Sequence, residues 1–270
     1  VPSPLPPPAG PIRLRRAAER FHSRLDWLDS WHSFSFAGHH DPDWSGCGPL
    51  RVINDDTIAA GKGFGMHPHR DMEIITVMVE GELHHRDSMG THEVLRAGEV
   101  QRMTTGTGMV HSEMNEGSEP CRLLQIWVEP EANQLPPGYQ QRHFRIGGDW
   151  SLLVDGADAE HDTEPGADRE VQGASQDADA SHPLHVHQGI RLWRARPQAG
   201  QQLHLPLASG APAWLQLIDG DGALETGGSD DSGPLDLYRG DGLAFRPAKD
   251  CGAGITAGTK GADLLLFELG

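Results

Sequence analysis

The stretch GKGFGMHPHRDMEIITVMV (Gly61–Val79) carries two imidazoles two residues apart and then a short alternating run that ends at the turn Glu80-Gly81-Glu82. Side chains on a strand point alternately to opposite faces, so His67, His69 and Glu73 share one face if the extended run is unbroken. Imidazoles at i and i+2 converge on one point, as a metal ion on a sheet surface requires. Downstream, GTGMVHSEMN (Gly106–Asn115) places His111, Glu113 and Asn115 on one parity, after glycines that can turn this strand beside the first. The two segments together offer three histidines and a choice of two carboxylates, Glu73 or Glu113, for one mononuclear metal site.

The same short-period pattern recurs in WHSFSFA (Trp31–Ala37), Leu50–Ile53, Leu123–Val128, Trp214–Ile218 and Leu264–Leu269. Apolar residues almost nowhere recur at i, i+3, i+4 and i+7, so the chain reads as all-β, a sandwich or barrel architecture. Short helices are expected only at Ala17–Phe21 and Glu131–Gln134. With 270 residues the chain is long enough for one large domain or two. Glu80-Gly81-Glu82 followed by Leu95-Arg96-Ala97-Gly98-Glu99 is echoed by Asp219-Gly220-Asp221 followed by Leu237-Tyr238-Arg239-Gly240-Asp241. That repeat favours two related β domains.

Charge excludes some functions. Asp and Glu number 39 against 22 Lys and Arg, a net of −17, and no basic run exists to bind nucleic acid or an acidic membrane. No window approaches the roughly 18 apolar residues of a membrane span. Residues 155–182 hold nine acidic side chains and one arginine, a net of −8, and read as a solvated linker spanning 151–184. Residues 1–11 are Pro-rich and read as a disordered tail. The three cysteines, Cys47, Cys121 and Cys251, form no CxxC and suit a reducing, cytoplasmic setting.

Of 16 histidines, most read as surface or packing residues. His39-His40 and His84-His85 are adjacent, hence on opposite faces of any strand, and are assigned to solvated turns or strand ends. His185-x-His187 has ligand spacing without a second cluster behind it. In the second half, Leu203-His204-Leu205-Pro206 and Phe245-Arg246-Pro247-Ala248-Lys249-Asp250 stand where ligands would be, so that half reads as a structural partner without metal. Gly106-Thr107-Gly108 lacks the Gly-Lys-Ser/Thr and the helix of a phosphate loop.

The paired motifs resemble the two cupin motifs. They depart in the seven residues between Glu73 and Gly81, and in Thr104 and Gly106 where a proline would stand. HPHRDMEI (His67–Ile74), EGELHHRDSMG (Glu80–Gly90), AGEVQRMTTGTGMVHSEMN (Ala97–Asn115), LQIWVEP (Leu124–Pro130), WLDSWHSFSFAGHHDPDW (Trp27–Trp44) and LRVINDD (Leu50–Asp56) resemble segments of the pirin family, closest to its bacterial quercetinases. The resemblance implies a bicupin: two antiparallel β-barrels facing each other, a metal-binding one over 12–150 and a degenerate one without metal over 185–270. It implies His67, His69, His111 and Glu113 as metal ligands, with Glu73 as a pocket residue or weaker ligand. One divalent transition metal is expected, foremost Fe, with Cu, Mn, Co, Ni or Zn as other occupants.

The implied activity is flavonol (quercetin) 2,4-dioxygenation, with dioxygen as co-substrate and carbon monoxide released from the opened ring. Glu113 or Glu73 would accept the substrate proton. The resemblance equally implies a rival, a non-enzymatic metal-dependent redox sensor that modulates a transcription factor or metabolic enzyme. The expected protein is a monomer with no direct nucleic-acid or membrane contact, a protein partner remaining open.

Overall fold

In the computed structural model the described residues are 12–156, 182–225, 233–247 and 252–270. The Pro-rich tail, residues 157–181 of the acidic stretch, Ala248-Lys249-Asp250 and Cys251 lie outside them.

The all-β expectation holds: twenty strands form three sheets, and the helical content is two 3-10 turns, Ala17–Glu19 and Pro42–Trp44, among the described residues. At Glu131–Gln134 no helix forms; the segment is a series of bends. Gln134 sits at φ 58°, and its N–H donates to the Asp71 carboxylate over 2.6 Å. Pro136 also disfavours helical geometry at Leu135. The expected helix at Ala17–Phe21 shrinks to a single turn, because Phe21 already begins a strand paired with His32.

A seven-stranded sheet lies at the centre of the molecule. Its strands run Gly138–His143, Glu99–Thr104, Glu73–Glu80, Cys121–Val128, Leu50–Ile58, Leu28–His32 and Phe21–Arg24 in spatial order, all antiparallel. One face packs on the nine-stranded sheet built mainly from residues 151–269: Ile53, Ile75, Val77, Leu124 and Ile126 share a core with Trp214, Ile218, Leu265 and Phe267. The other face looks toward a four-stranded sheet ordered Lys62–His69, Met109–Asn115, Glu82–Asp87 and His92–Arg96. Among the described residues no ladder closes into a full barrel; the first half is enclosed between the seven- and four-stranded sheets, and the second by the nine-stranded sheet alone.

The N-terminal strand Ile12–Arg15 crosses to the other half. It pairs Ile12 with Phe245 and Arg15 with Gly242, so residues that sequence order groups with the first domain complete the second sheet.

The repeat read from the turns has a matching backbone. Gly81 and Gly220 take φ 75° and 84°, and Gly98 and Gly240 take 89° and 84°, conformations that cost a side chain and not glycine. Ala97 N–H donates to Gly81 O and Arg239 N–H to Gly220 O. Gly98 N–H reaches Met78 O as Gly240 N–H reaches Leu217 O. Glu99 accepts from the Arg96 N–H as Asp241 accepts from the Tyr238 N–H. These equivalences set Thr76 and Gln101, paired in the first half, against Leu215 and Leu243, paired in the second.

Across the junction, Arg122 makes a bidentate bond to Asp55 (2.8 and 2.9 Å), a third to Asp219 (2.7 Å) and a fourth to Ile218 O (3.0 Å). Those carboxylates raise its pKa despite the opposing effect of burial. Arg122→Ala leaves Asp55, in a largely buried position, with only the long 3.9 Å ion pair to Arg20. The expected loss is about 3 kcal/mol of stability, read by denaturant unfolding, which is the lower range for stranding a buried charge. A loss below about 1 kcal/mol, the scale of an exposed ion pair, would remove Arg122 from the forces holding the halves together.

Candidate metal centre

The first two histidines of the centre lie on the Lys62–His69 strand and the third on the neighbouring Met109–Asn115 strand, with His111 paired directly opposite His67. Gly63 permits this close approach: at φ 153°, a Cβ there would lie 2.3 Å from Glu113 O. A bulge between His111 and Glu113 re-aims the strand next to this contact. The ring centroids of His67, His69 and His111 are separated by 4.5 to 4.9 Å, and their ligand atoms fall within 4.8 Å of one another.

His67 and His69 are half-buried and His111 is buried. Nδ1 of His67 lies 2.7 Å from Gly65 O, so its proton is held there and Nε2 keeps the free lone pair. Burial, followed by the neighbouring imidazoles of His111 and His67, pushes His69 down to about 4. Burial, then His67 and His85, pushes His111 down to about 3. His69 and His111 are therefore uncharged at neutral pH, the state in which imidazole binds a metal. Both ring nitrogens of His111 are buried without a hydrogen-bond partner. A buried orphan of that kind costs about 1–3 kcal/mol. An ion among the three rings would satisfy one of the two, so the residues fit a divalent metal.

Glu113 is buried below these rings, facing the seven-stranded sheet. Its Oε1 accepts from the Gln101 amide and the Thr76 hydroxyl, and its Oε2 accepts from the Gln125 amide over 2.7 Å. Gln101, Thr76 and Gln125 stand directly opposite one another on three adjacent strands, and Asn54 and His32 continue the row. Tyr139 Oη lies within 3.1 Å of Gln101 Oε1, which orients that amide with its NH₂ toward Glu113. Burial holds Tyr139 well above its ordinary pKa, so it remains a donor.

Glu73 does not join the histidines. The extended run breaks at Arg70–Met72, where Asp71 takes φ 50°, and Glu73 begins a strand of a different sheet. Its side chain turns to the opposite face from Thr76, where Thr104 donates to it (2.9 Å) and His187 Nδ1 lies at 3.0 Å. Asn115, which shares parity with Glu113, holds the following turn by donating to Ile58 O and Glu119 O.

The reading of His84-His85 as solvated is corrected. The pair lies within the Glu82–Asp87 strand; His84 is half-buried beside Glu82 and Glu116, whereas His85 is fully buried opposite Glu113. Leu83, fully buried on the same parity, was the available signal that His85 turns inward. Gln101, Gln125 and Thr76 carried no sequence signal of their own, since their role depends on strand register. Among the described residues, both groups of donors able to share an ion lie in the first half, and His204 is exposed.

The chain matches the family described as Pirin over residues 13–128. A protein named quercetin 2,3-dioxygenase from Escherichia coli strain K12 is 43% identical over 212 residues, covering 78% of this chain and 82% of that protein. The chain belongs to the pirin family. Residues 173–269 match a second family, described as Quercetinase C-terminal cupin domain, and the architecture is a bicupin. The crystal structure of the bacterial pirin YhhW from Escherichia coli in complex with nickel(II) has a TM-score of 0.77 at 39% identity, covering 96% of this chain and 98% of that one. A quercetin 2,3-dioxygenase structure from Acinetobacter baumannii, at 16% identity and TM-score 0.69, shares the fold and covers 96% of this chain and 79% of that one.

Two measurements test this pirin's interior. His111→Ala should abolish retention of a divalent ion through gel filtration, read as metal per chain, while circular dichroism stays that of a β protein. One ion per chain in that variant would take His111 out of the centre. Asp56, fully buried and accepting from Ser30, is pushed up by burial to about 7. The folded form thus binds the Asp56 proton more tightly than the unfolded chain does. Its stabilising effect is complete below pH ~4 and lost as pH rises through 7. Asp56→Asn should flatten the fall in Tm between pH 5 and 8 relative to the parent, and parallel Tm profiles would refute the assignment.

Proposed function

We propose that this protein is a pirin-type dioxygenase that opens the central ring of a flavonol such as quercetin. In this reading one divalent transition ion, foremost iron, is held by His67, His69 and His111, with Glu113 the carboxylate behind His111. The orphaned ring nitrogens of buried His111, at the meeting point of three imidazoles, are the observation that carries it. The relatives' shared name and the nickel complex of a family member support it. An imidazole-rich set with one carboxylate suits Fe, Ni, Cu, Co, Mn or Zn.

The bound ion would supply Lewis acidity at the flavonol 3-oxygen and redox access to dioxygen. The protein supplies position and proton transfer. His67 and His69 flank the half-exposed side, where a substrate can approach, while Glu113 lies on the dry side. Of the two candidate glutamates, Glu113 is the proton acceptor we favour, because two amides and a hydroxyl fix its carboxylate beside His111. Glu73 then acts as a positioning residue behind the sheet, tying Thr104 to His187. Trp127, 5.0 Å from His69 and edge-on to Phe36, offers an aromatic wall for a planar substrate. Ile74, Met103 and Met109 keep water from the inner side. Dioxygen adds across carbons 2 and 4 of the deprotonated flavonol, and carbon 3 leaves as carbon monoxide, giving a depside.

The metal-loaded protein, mixed with quercetin without oxygen, should shift the flavonol absorption band. Admitting oxygen should bleach it with release of one equivalent of carbon monoxide. A full metal load with neither a band shift nor oxygen uptake would refute the dioxygenase reading and favour a metal-dependent binding protein.

A further inference from the structure

Behind the three-histidine face lies a second set of donors. His85 is fully buried, and its Nε2 lies 3.1 Å from Oδ2 of Asp87, whose other oxygen accepts from the Met89 and Thr91 N–H groups. An Nε2–H held by that carboxylate leaves the lone pair on Nδ1, the arrangement by which a carboxylate prepares a histidine for a metal. Nδ1 of His85 is buried with no hydrogen-bond partner. The ring is fixed in plane by stacking on Tyr139, at 4.6 Å and 29°.

The ligand atoms of His85, His111 and Glu113 lie within 4.8 Å of one another, and all three residues are buried. His111 belongs to this group and to the outer one, and each of its two ring nitrogens lacks a partner. Glu113, by contrast, groups with His85 and not with the His67–His69 pair. Oε1 of Glu113 already accepts from Gln101 and Thr76, whereas Oε2 accepts only from Gln125 and keeps a further lone pair for an ion.

We propose that the first half holds two overlapping positions for a divalent ion that share His111, and that His85 is a ligand of the inner one. The outer position, at His67, His69 and His111, is half-open and can admit a substrate. The inner position, at His85, His111 and Glu113, is closed on all sides by protein, as in sites that hold a metal without reacting. An ion drawn inward leaves the reactive face and remains bound. The proposal rests on the metal reading above and adds a residue that no four-ligand centre requires.

Co(II) titration of metal-free protein tests it, read by the visible d–d bands and by ions retained per chain. The outer pair is disabled by His69→Ala, which should still retain one Co(II), bound roughly tenfold or more weakly and with altered bands. Adding His85→Gln, which keeps most of the side-chain volume, should weaken binding by roughly a further tenfold. Adding His85→Cys to His69→Ala instead should bring a sulfur-to-cobalt charge-transfer band in the near ultraviolet, which a packing residue could not produce. Wild-type protein that binds no Co(II) would overturn both this proposal and the metal reading. Binding by the wild type but not by His69→Ala would overturn the inner position alone. So would a His69→Ala/His85→Gln protein that binds as tightly as His69→Ala, or a folded His85→Cys variant without the band.

Discussion

The seven-stranded sheet is buried on both faces, and the rest of the molecule depends on how that burial is divided. Along Glu73–Glu80 the odd positions Ile75 and Val77 enter the core shared with the second half, while Ile74, Thr76 and Met78 face the interior of the first. Slipping either strand by one residue would move Thr76 or Gln125 into an apolar interface and strand its polar group there. The register is thus held from both sides, by about 1.5–3 kcal/mol per buried aliphatic side chain and by the cost of unpaired amides. The cross-strand row from Gln101 through Thr76 and Gln125 follows from that register, and with it the position of Glu113.

What was legible in the sequence was whatever depends on local alternation. HxH on one strand and His-x-Glu on another gave the three imidazoles that meet in space, and the glycine turns gave the repeat. What was hidden depends on where an extended run stops. Glu73 shares parity with His67 only along an unbroken strand, and the strand ends at His69, with Asp71 in the left-handed region before Glu73. The Glu131–Gln134 segment has helix-forming residues, but its backbone is spent on Asp71 and the prolines beyond. His85 was misread because an adjacent pair was judged together, whereas strand geometry sends its members to opposite environments. The pairing of Ile12–Arg15 with the far sheet is a long-range contact that no local pattern encodes.

The two halves show what the metal centre requires of its surroundings. Their turns repeat hydrogen bond for hydrogen bond, so the frame is the same and the filling differs. Where the first half pairs Thr76 with Gln101, the second pairs Leu215 with Leu243; where the first pairs Ile74 with Met103, the second pairs Ala213 with Phe245. The second interior is an apolar cluster of Leu203, Leu217, Ile255, Leu264 and Leu266 that needs no ion to satisfy it. The first carries buried His85, His111, Glu113 and Asp56, groups whose desolvation opposes folding. Hydrogen bonds offset part of that cost at Glu113 and Asp56, but not at the orphaned nitrogens of His111 and His85. The residual cost falls on the imidazoles, and it is the cost that a bound metal removes. On this account the second half, packed with leucine and phenylalanine, provides the stable face against which the first can keep an interior that is incomplete without its ion.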